Sequence, residues 1–130
     1  MLAQPARVEP ARASLPSTSK WRGTDGAPEF AARIVKTEQE WTSLWRRLGQ
    51  PVPRPLGTDM AVIIEIGERM TGGYRPEVLS ASERNGHLVV EYTDGAPGSD
   101  AIVAQVLTRP WAIAVIPRTD LPTEFRRVTP

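Results

Sequence analysis

The chain has 130 residues, a net charge of +1 from 16 basic and 15 acidic side chains, and no cysteine. That length suits one domain with a single core and a tail, and the near-neutral balance gives no electrostatic case for nucleic acid, whose phosphates call for a basic face. Without cysteine there are no disulfides, no thiolate zinc sites, no cysteine nucleophile and no lipid-anchoring cysteine.

No stretch approaches the about 18 apolar residues of a membrane span. The opening residues, Met1 to Arg7, lack the apolar run of a secretory signal. The default expectation is therefore a cytoplasmic chain, although a mature fragment with its leader removed would read the same. Residues 1–28 are rich in Ala, Pro, Ser, Thr and Arg, are punctuated by Pro5, Pro10, Pro16 and Pro28, and carry a charge of +2 against −1 for the remainder. A segment with so little apolar surface does not offset the entropy of ordering it, so a disordered tail is expected there, with the domain over 29–130. Trp21 is the anomaly in that tail: it either docks on the domain or moves with its neighbours.

Phe30, Ala32 and Ile34 alternate with Ala31, Arg33 and Val35, which predicts a first strand. Thr37-Glu38-Gln39-Glu40 is a capping box, and Trp41, Leu44, Trp45 and Leu48 follow at the spacing of one helical face. Gly49 and Pro51 end that helix, expected from about Glu38 to Leu48. Its two tryptophans fit the roof of a sheet, because so short a helix needs tertiary burial to persist. Pro51 to Pro55 is a stiff connector. Met60 to Ile66 is nearly continuous apolar, as an interior strand covered on both faces would be, with Glu65 as its single charge, expected at a solvent-facing end.

The glycine loop Met70-Thr71-Gly72-Gly73-Tyr74 comes next, and a strand from Tyr74 to Ala81 is expected to hold Pro76 at an edge or a bulge. Asn85-Gly86 predicts a tight hairpin into His87–Tyr92, where Leu88, Val90 and Tyr92 share a face. Asp94 to Asp100 is a loop. Ala101–Leu107 and Trp111–Ile116 read as strands separated by Thr108-Arg109-Pro110, and Glu124–Val128 as a last one with Phe125 inward. The expected fold is α+β: a mainly antiparallel sheet or sandwich of about six or seven short strands with one packed amphipathic helix.

The catalytic inventory is thin. His87 is the single histidine and begins a hairpin strand, no serine sits in a nucleophile elbow, and no residue pair has metal-ligand spacing. Thr71-Gly72-Gly73 precedes neither a lysine nor a helix, so it is not a phosphate cradle. The expectation is a non-enzyme without cofactor or metal. What remains is three loops: Met70–Tyr74, Asp94–Asp100 and Thr108–Trp111. Alternating strand directions would bring the first and third to one end of the sheet. Thr71, Gly72, Gly73, Tyr74, Arg109, Pro110 and Trp111 are therefore the candidate partner-binding residues, since Tyr, Trp and Arg are frequent hot-spot types. The competing reading has Tyr74 and Trp111 buried at the starts of their strands, with the glycines only making a bend.

The order Glu40-Trp41-x-x-Leu44-Trp45, an apolar strand ending at Gly67, Thr71-Gly72-Gly73-Tyr74, a hairpin, and Thr108-Arg109-Pro110-Trp111 running to Ile116-Pro117-Arg118 resembles the C-terminal domain of the protease complex subunit PrcB family. The resemblance covers about residues 30 to 128. It implies a non-catalytic companion of an extracytoplasmic protease, often carried on a lipoprotein, and so a peptidase or other protein as partner. A looser similarity is to chagasin-type inhibitors of cysteine proteases, whose three loops are matched in order by Thr71–Tyr74, Gly95–Gly98 and Arg109-Pro110-Trp111. The sequence departs from that pattern at Arg69-Met70, in the extra glycine, and in the middle loop. A domain whose glycines serve folding alone is the third alternative, and it predicts that Gly72→Ala costs stability without altering binding.

Overall fold

A computed structural model describes residues 14–129. Its strands are β1 (Ser19–Gly23), β2 (Phe30–Val35), β3 (Asp59–Ile66), β4 (Glu77–Arg84), β5 (His87–Thr93), β6 (Trp111–Pro117) and β7 (Thr123–Arg127), with a single helix α1 (Glu38–Arg47) between β2 and β3. The helix starts where the capping box places it: the Glu40 backbone N–H donates to Thr37 Oγ1 at 3.1 Å, and the Thr37 hydroxyl donates in turn to Glu40 Oε1. Glu38 and Glu40 occupy the first turn and Arg46 and Arg47 the last, so both ends complement the helix dipole.

The strands form a four-stranded sheet in the order β1-β6-β3-β2 and a three-stranded sheet in the order β4-β5-β7. Every pairing is antiparallel except β5 with β7. The molecule is thus three layers deep: helix, four-stranded sheet, three-stranded sheet. Strand β3 explains why. Its Ala61 and Ile63 join Trp41, Leu44, Trp45, Trp111 and Ile113 in a core under the helix. Its Met60, Val62, Ile64 and Ile66 join Val78, Leu88, Val90 and Ile116 in a second core between the sheets. A strand with a core on each face has no room for alternating polar residues, which accounts for its continuous apolar run.

The expected α+β fold, with its helix packed on a largely antiparallel set of strands, is what the chain adopts. Four local expectations need correction. Ser19–Gly23, inside the expected tail, is a strand: β1 pairs with β6 from Ser19↔Val115 to Gly23↔Trp111. Leu15 also donates its N–H to the Ala81 carbonyl. Trp21 docks, with its ring 5.8 Å from Trp41 and 5.5 Å from Trp45. The part of the tail expectation covering residues 1–13 lies outside the described residues. Pro76 precedes β4, and the irregularity in that strand falls between Val78 and Ser80 instead. Ala101–Leu107 forms no strand, and Ile102, Val106 and Leu107 stand exposed. Glu65, finally, is buried.

Asn85-Gly86 makes the predicted tight turn, with φ of 51° and 79°. Phe125 on β7 packs against the second core.

Candidate functional site

Glu65 lies on the helix side of β3, opposite Trp111 of β6. It is 1% exposed, yet its carboxylate is fully engaged: Arg47 Nη1 donates to Oε2 at 3.0 Å, Arg47 Nη2 donates to Oε1 at 2.9 Å, and the Ala27 N–H donates to Oε2 at 2.8 Å. Such a planar two-point pairing is what a guanidinium offers a carboxylate. Arg47, in the last helical turn, reaches over the end of the sheet to supply it. The signal in the sequence was a lone acid in an apolar run together with an arginine at the end of the neighbouring helix. A charge of that kind is tolerated inside when it is paired and hydrogen-bonded.

Residues 24–28 form a strap over this pair. The Gly26 N–H donates to the Arg109 carbonyl at 2.8 Å, the Arg109 N–H donates to the Thr24 carbonyl at 2.9 Å, and Trp111 Nε1 donates to Asp25 Oδ1 at 2.9 Å. Trp111 is 1% exposed, with its ring edge-on to Trp45 at 5.7 Å. Pro110 is buried as well. Of the candidate binding residues, these two sit in the interior, as the competing reading had it for Trp111.

The other flank of the same segment makes the loop face. Arg69 and Thr108 exchange two backbone hydrogen bonds of 2.8 Å, Thr108 Oγ1 donates to the Thr71 carbonyl at 3.0 Å, and the Gly72 N–H donates to the Ala104 carbonyl at 2.8 Å. The Arg75 N–H donates to the Gly95 carbonyl at 3.1 Å. The glycine loop and its flanking residues are therefore tied to both of the other loops. Gly73 has a φ of +92°, and a Cβ there would meet Val103 Cγ1 at 2.6 Å, so the second glycine of the pair is the one that the bend needs. At Gly72 the nearest atom to an added Cβ is 3.8 Å away.

Tyr74 is half-buried against the second core, with the Arg69 guanidinium 5.1 Å from its ring centroid. Arg109 turns outward and pairs with Glu68 at 3.1 Å. On this face the exposed apolar residues lie outside the Thr-Gly-Gly-Tyr and Arg-Pro-Trp motifs: Met70 at 71%, Ile102 at 101%, and Val106 and Leu107 at about half. Their signal was the uninterrupted run Ala-Ile-Val-Ala-Gln-Val-Leu, which reads as a strand until its pairing is known.

Among the described residues no helix is long and apolar enough to cross a membrane, and no three His, Cys, Asp or Glu side chains come together in a way that could hold a metal ion.

Residues 60–117 match the family model described as PrcB C-terminal. The match supports the PrcB C-terminal family for that segment. No curated protein and no solved structure matches the chain. The matched segment runs from β3 to β6 and contains the glycine loop, the Asp94–Asp100 loop and Thr108–Trp111. Outside it lie β1, the strap, β2 and α1, hence Arg47 and three of the four clustered tryptophans.

Proposed function

We propose that this domain is a non-catalytic protein-binding module, an accessory subunit of the PrcB type whose partner is a peptidase or a protein bound with one. The observation that carries this reading is the loop face: Met70, Ile102, Val106 and Leu107 are exposed on segments that hydrogen bonds hold in place. Exposed apolar side chains on a braced scaffold are what an interface offers, since little ordering entropy is lost on docking. Thr71, Gly72 and Gly73 shape the face, while Tyr74 and Arg109 border it. Pro110 and Trp111 are buried and lie outside it.

The test is site-specific photocrosslinking in cells of the native source. A photoreactive side chain replaces Ile102 in one protein and His87 in another; His87 is exposed at the opposite end of β5 from the Asp94–Asp100 loop. The module reading expects one discrete protein adduct at position 102, lost in a Met70→Ser/Leu107→Ser background and missing at position 87. Equal adducts at both positions would sink it. A chagasin-type inhibitor has less support, because Trp111 and Pro110 of the Arg-Pro-Trp motif are covered. Titrating papain-like and subtilisin-like proteases with the domain tests that alternative, and stoichiometric loss of activity would restore it.

A further inference from the structure

Where β2 and β5 approach at one end of the sheets, a groove of about 560 Å³ opens at the seam. That size falls within the about 300–1,000 Å³ of ligand sites. Its floor is aromatic: Phe30 lies 6.2 Å from Tyr92, their rings inclined by 32°. Phe30 is 55% exposed and is the one aromatic among the large exposed apolar residues of the described chain. Ala32 and Ile34, on the same face of β2, pack into the second core. Phe30 begins the strand, and beside it the groove is open.

The charges on the rim are nearly matched. Asp94 accepts from Arg127 at 2.9 Å, and Glu68 pairs with Arg109 at 3.1 Å. That leaves the Arg69 guanidinium, which donates to the Glu68 carbonyl, lies over Tyr74 and is in no ion pair among the described residues. An apolar floor beside one unmatched cation calls for a ligand with a flat apolar body and one negative charge.

Strand β2 adds direction. It is the last strand of its sheet and pairs with β3 alone, so its outer edge has no partner strand among the described residues. A chain adding to that edge antiparallel to β2 would run toward Phe30 and reach the groove at its own C-terminal end.

We propose that the outer edge of β2 and the Phe30–Tyr92–Arg69 groove bind the C-terminal residues of an extended polypeptide whose last side chain is aromatic, with the terminal carboxylate on Arg69. The site is separate from the exposed apolar residues of the loop face and stands or falls without it.

Fluorescence anisotropy tests this on the full chain with a fluorescein-labelled hexapeptide, Gly-Thr-Val-Thr-Val-Phe, made with a free carboxyl terminus and again as the amide. The free acid is expected to bind saturably and the amide at least about tenfold more weakly, the usual scale for losing a charge-assisted pair. Arg69→Gln should weaken the acid by a similar factor and leave the amide unchanged. Phe30→Ala should weaken both forms, and Phe30→Tyr should restore them. Circular dichroism of each variant establishes that it is folded. No saturable binding of the acid, or equal affinity of acid and amide, overturns the proposal. Competition by free 3-phenylpropionate at the same concentration as the unlabelled peptide also overturns it, since a small aromatic acid would then suffice and the β2 edge would add nothing.

Discussion

Two strips of chain flank Thr108–Pro110, and their backbones are treated alike. The strap, residues 24–28, exchanges main-chain hydrogen bonds with Arg109; on the other flank Arg69, just before the glycine loop, exchanges them with Thr108, and Gly72 donates to Ala104. The difference is in the side chains. On the strap side an indole and a carboxylate are closed in with their polar atoms satisfied, the carboxylate by a guanidinium that is itself partly open to water. On the loop side methionine, isoleucine, valine and leucine face water. Backbone hydrogen bonding fixes where a segment runs, but only contact on the far side of its residues turns apolar surface into stability. The strap side should therefore govern folding, and the loop side should be free to serve something else.

The strongest way to break that contrast is at Trp111. Removing the indole by Trp111→Ala opens a cavity beside Trp45 in the four-tryptophan cluster and frees Asp25 from the strap's contact with the core, and is expected to cost about 3–5 kcal/mol. Ile102→Ala should shift stability by less than about 0.5 kcal/mol. Urea unfolding followed by tryptophan fluorescence measures both. Comparable losses at the two positions would mean that the loop face belongs to the core.

Arg47→Ala comes next. It leaves the Glu65 carboxylate buried with the Ala27 N–H as its remaining partner. Breaking one side of a buried pair is costly, but Arg47 itself is 41% exposed, so water can replace part of what it gives. A loss of about 2–3 kcal/mol is expected. Glu65→Leu should be milder, because it removes the buried charge and lets Arg47 turn to solvent. If Glu65→Leu proves the more damaging, the pair positions the strap more than it satisfies a charge.

Local pattern carried much of this fold. The capping box and apolar stripe gave α1, the dense apolar run gave β3, and Asn85-Gly86 gave the hairpin, because each is decided by neighbours within about seven residues. What escaped was decided at long range. Ser-Lys-Trp-Arg-Gly has the alternation of a strand, but its partner β6 lies some ninety residues away and its surroundings are rich in proline. Ala101–Leu107 has the right composition for a strand and is given no ladder, since β-propensity expresses itself only where there is a surface to pair with. Glu65 was misplaced for the same reason: burial of a charge depends on a partner, and Arg47 sits on another element. At the candidate site, the approach of the first and third loops was legible, whereas the apolar residues actually open to water were not. A motif such as Arg-Pro-Trp does not say which way its aromatic points.

The two adjacent glycines sharpen the comparison within the loop face itself. Gly73→Ala must place a methyl group on a backbone with positive φ and against Val103, for an expected cost of about 1–2 kcal/mol. Gly72→Ala has space and an unrestricted φ, and should stay within about 0.5 kcal/mol. Thermal melts of the two variants distinguish them. Equal losses would favour the reading in which both glycines serve the fold alone.

The smallest effect is expected at the seam, which is intermediate between the closed strap and the open loops. Burial raises the pKa of the Tyr92 phenol, Arg127 opposes the shift, and Asp94 adds to it. The folded state therefore holds this proton more tightly than the unfolded chain does. The stability it contributes is complete below the unfolded tyrosine value of 10.0 and is lost as pH rises through the higher folded value. Tyr92→Phe removes the titrating group and keeps the ring beside Phe30. Unfolding midpoints taken between pH 9 and pH 11, a window set around that reference value, should fall less steeply for the variant than for the parent. Identical slopes would mean that water reaches the phenol freely, and the seam would then resemble the loop face more than the core.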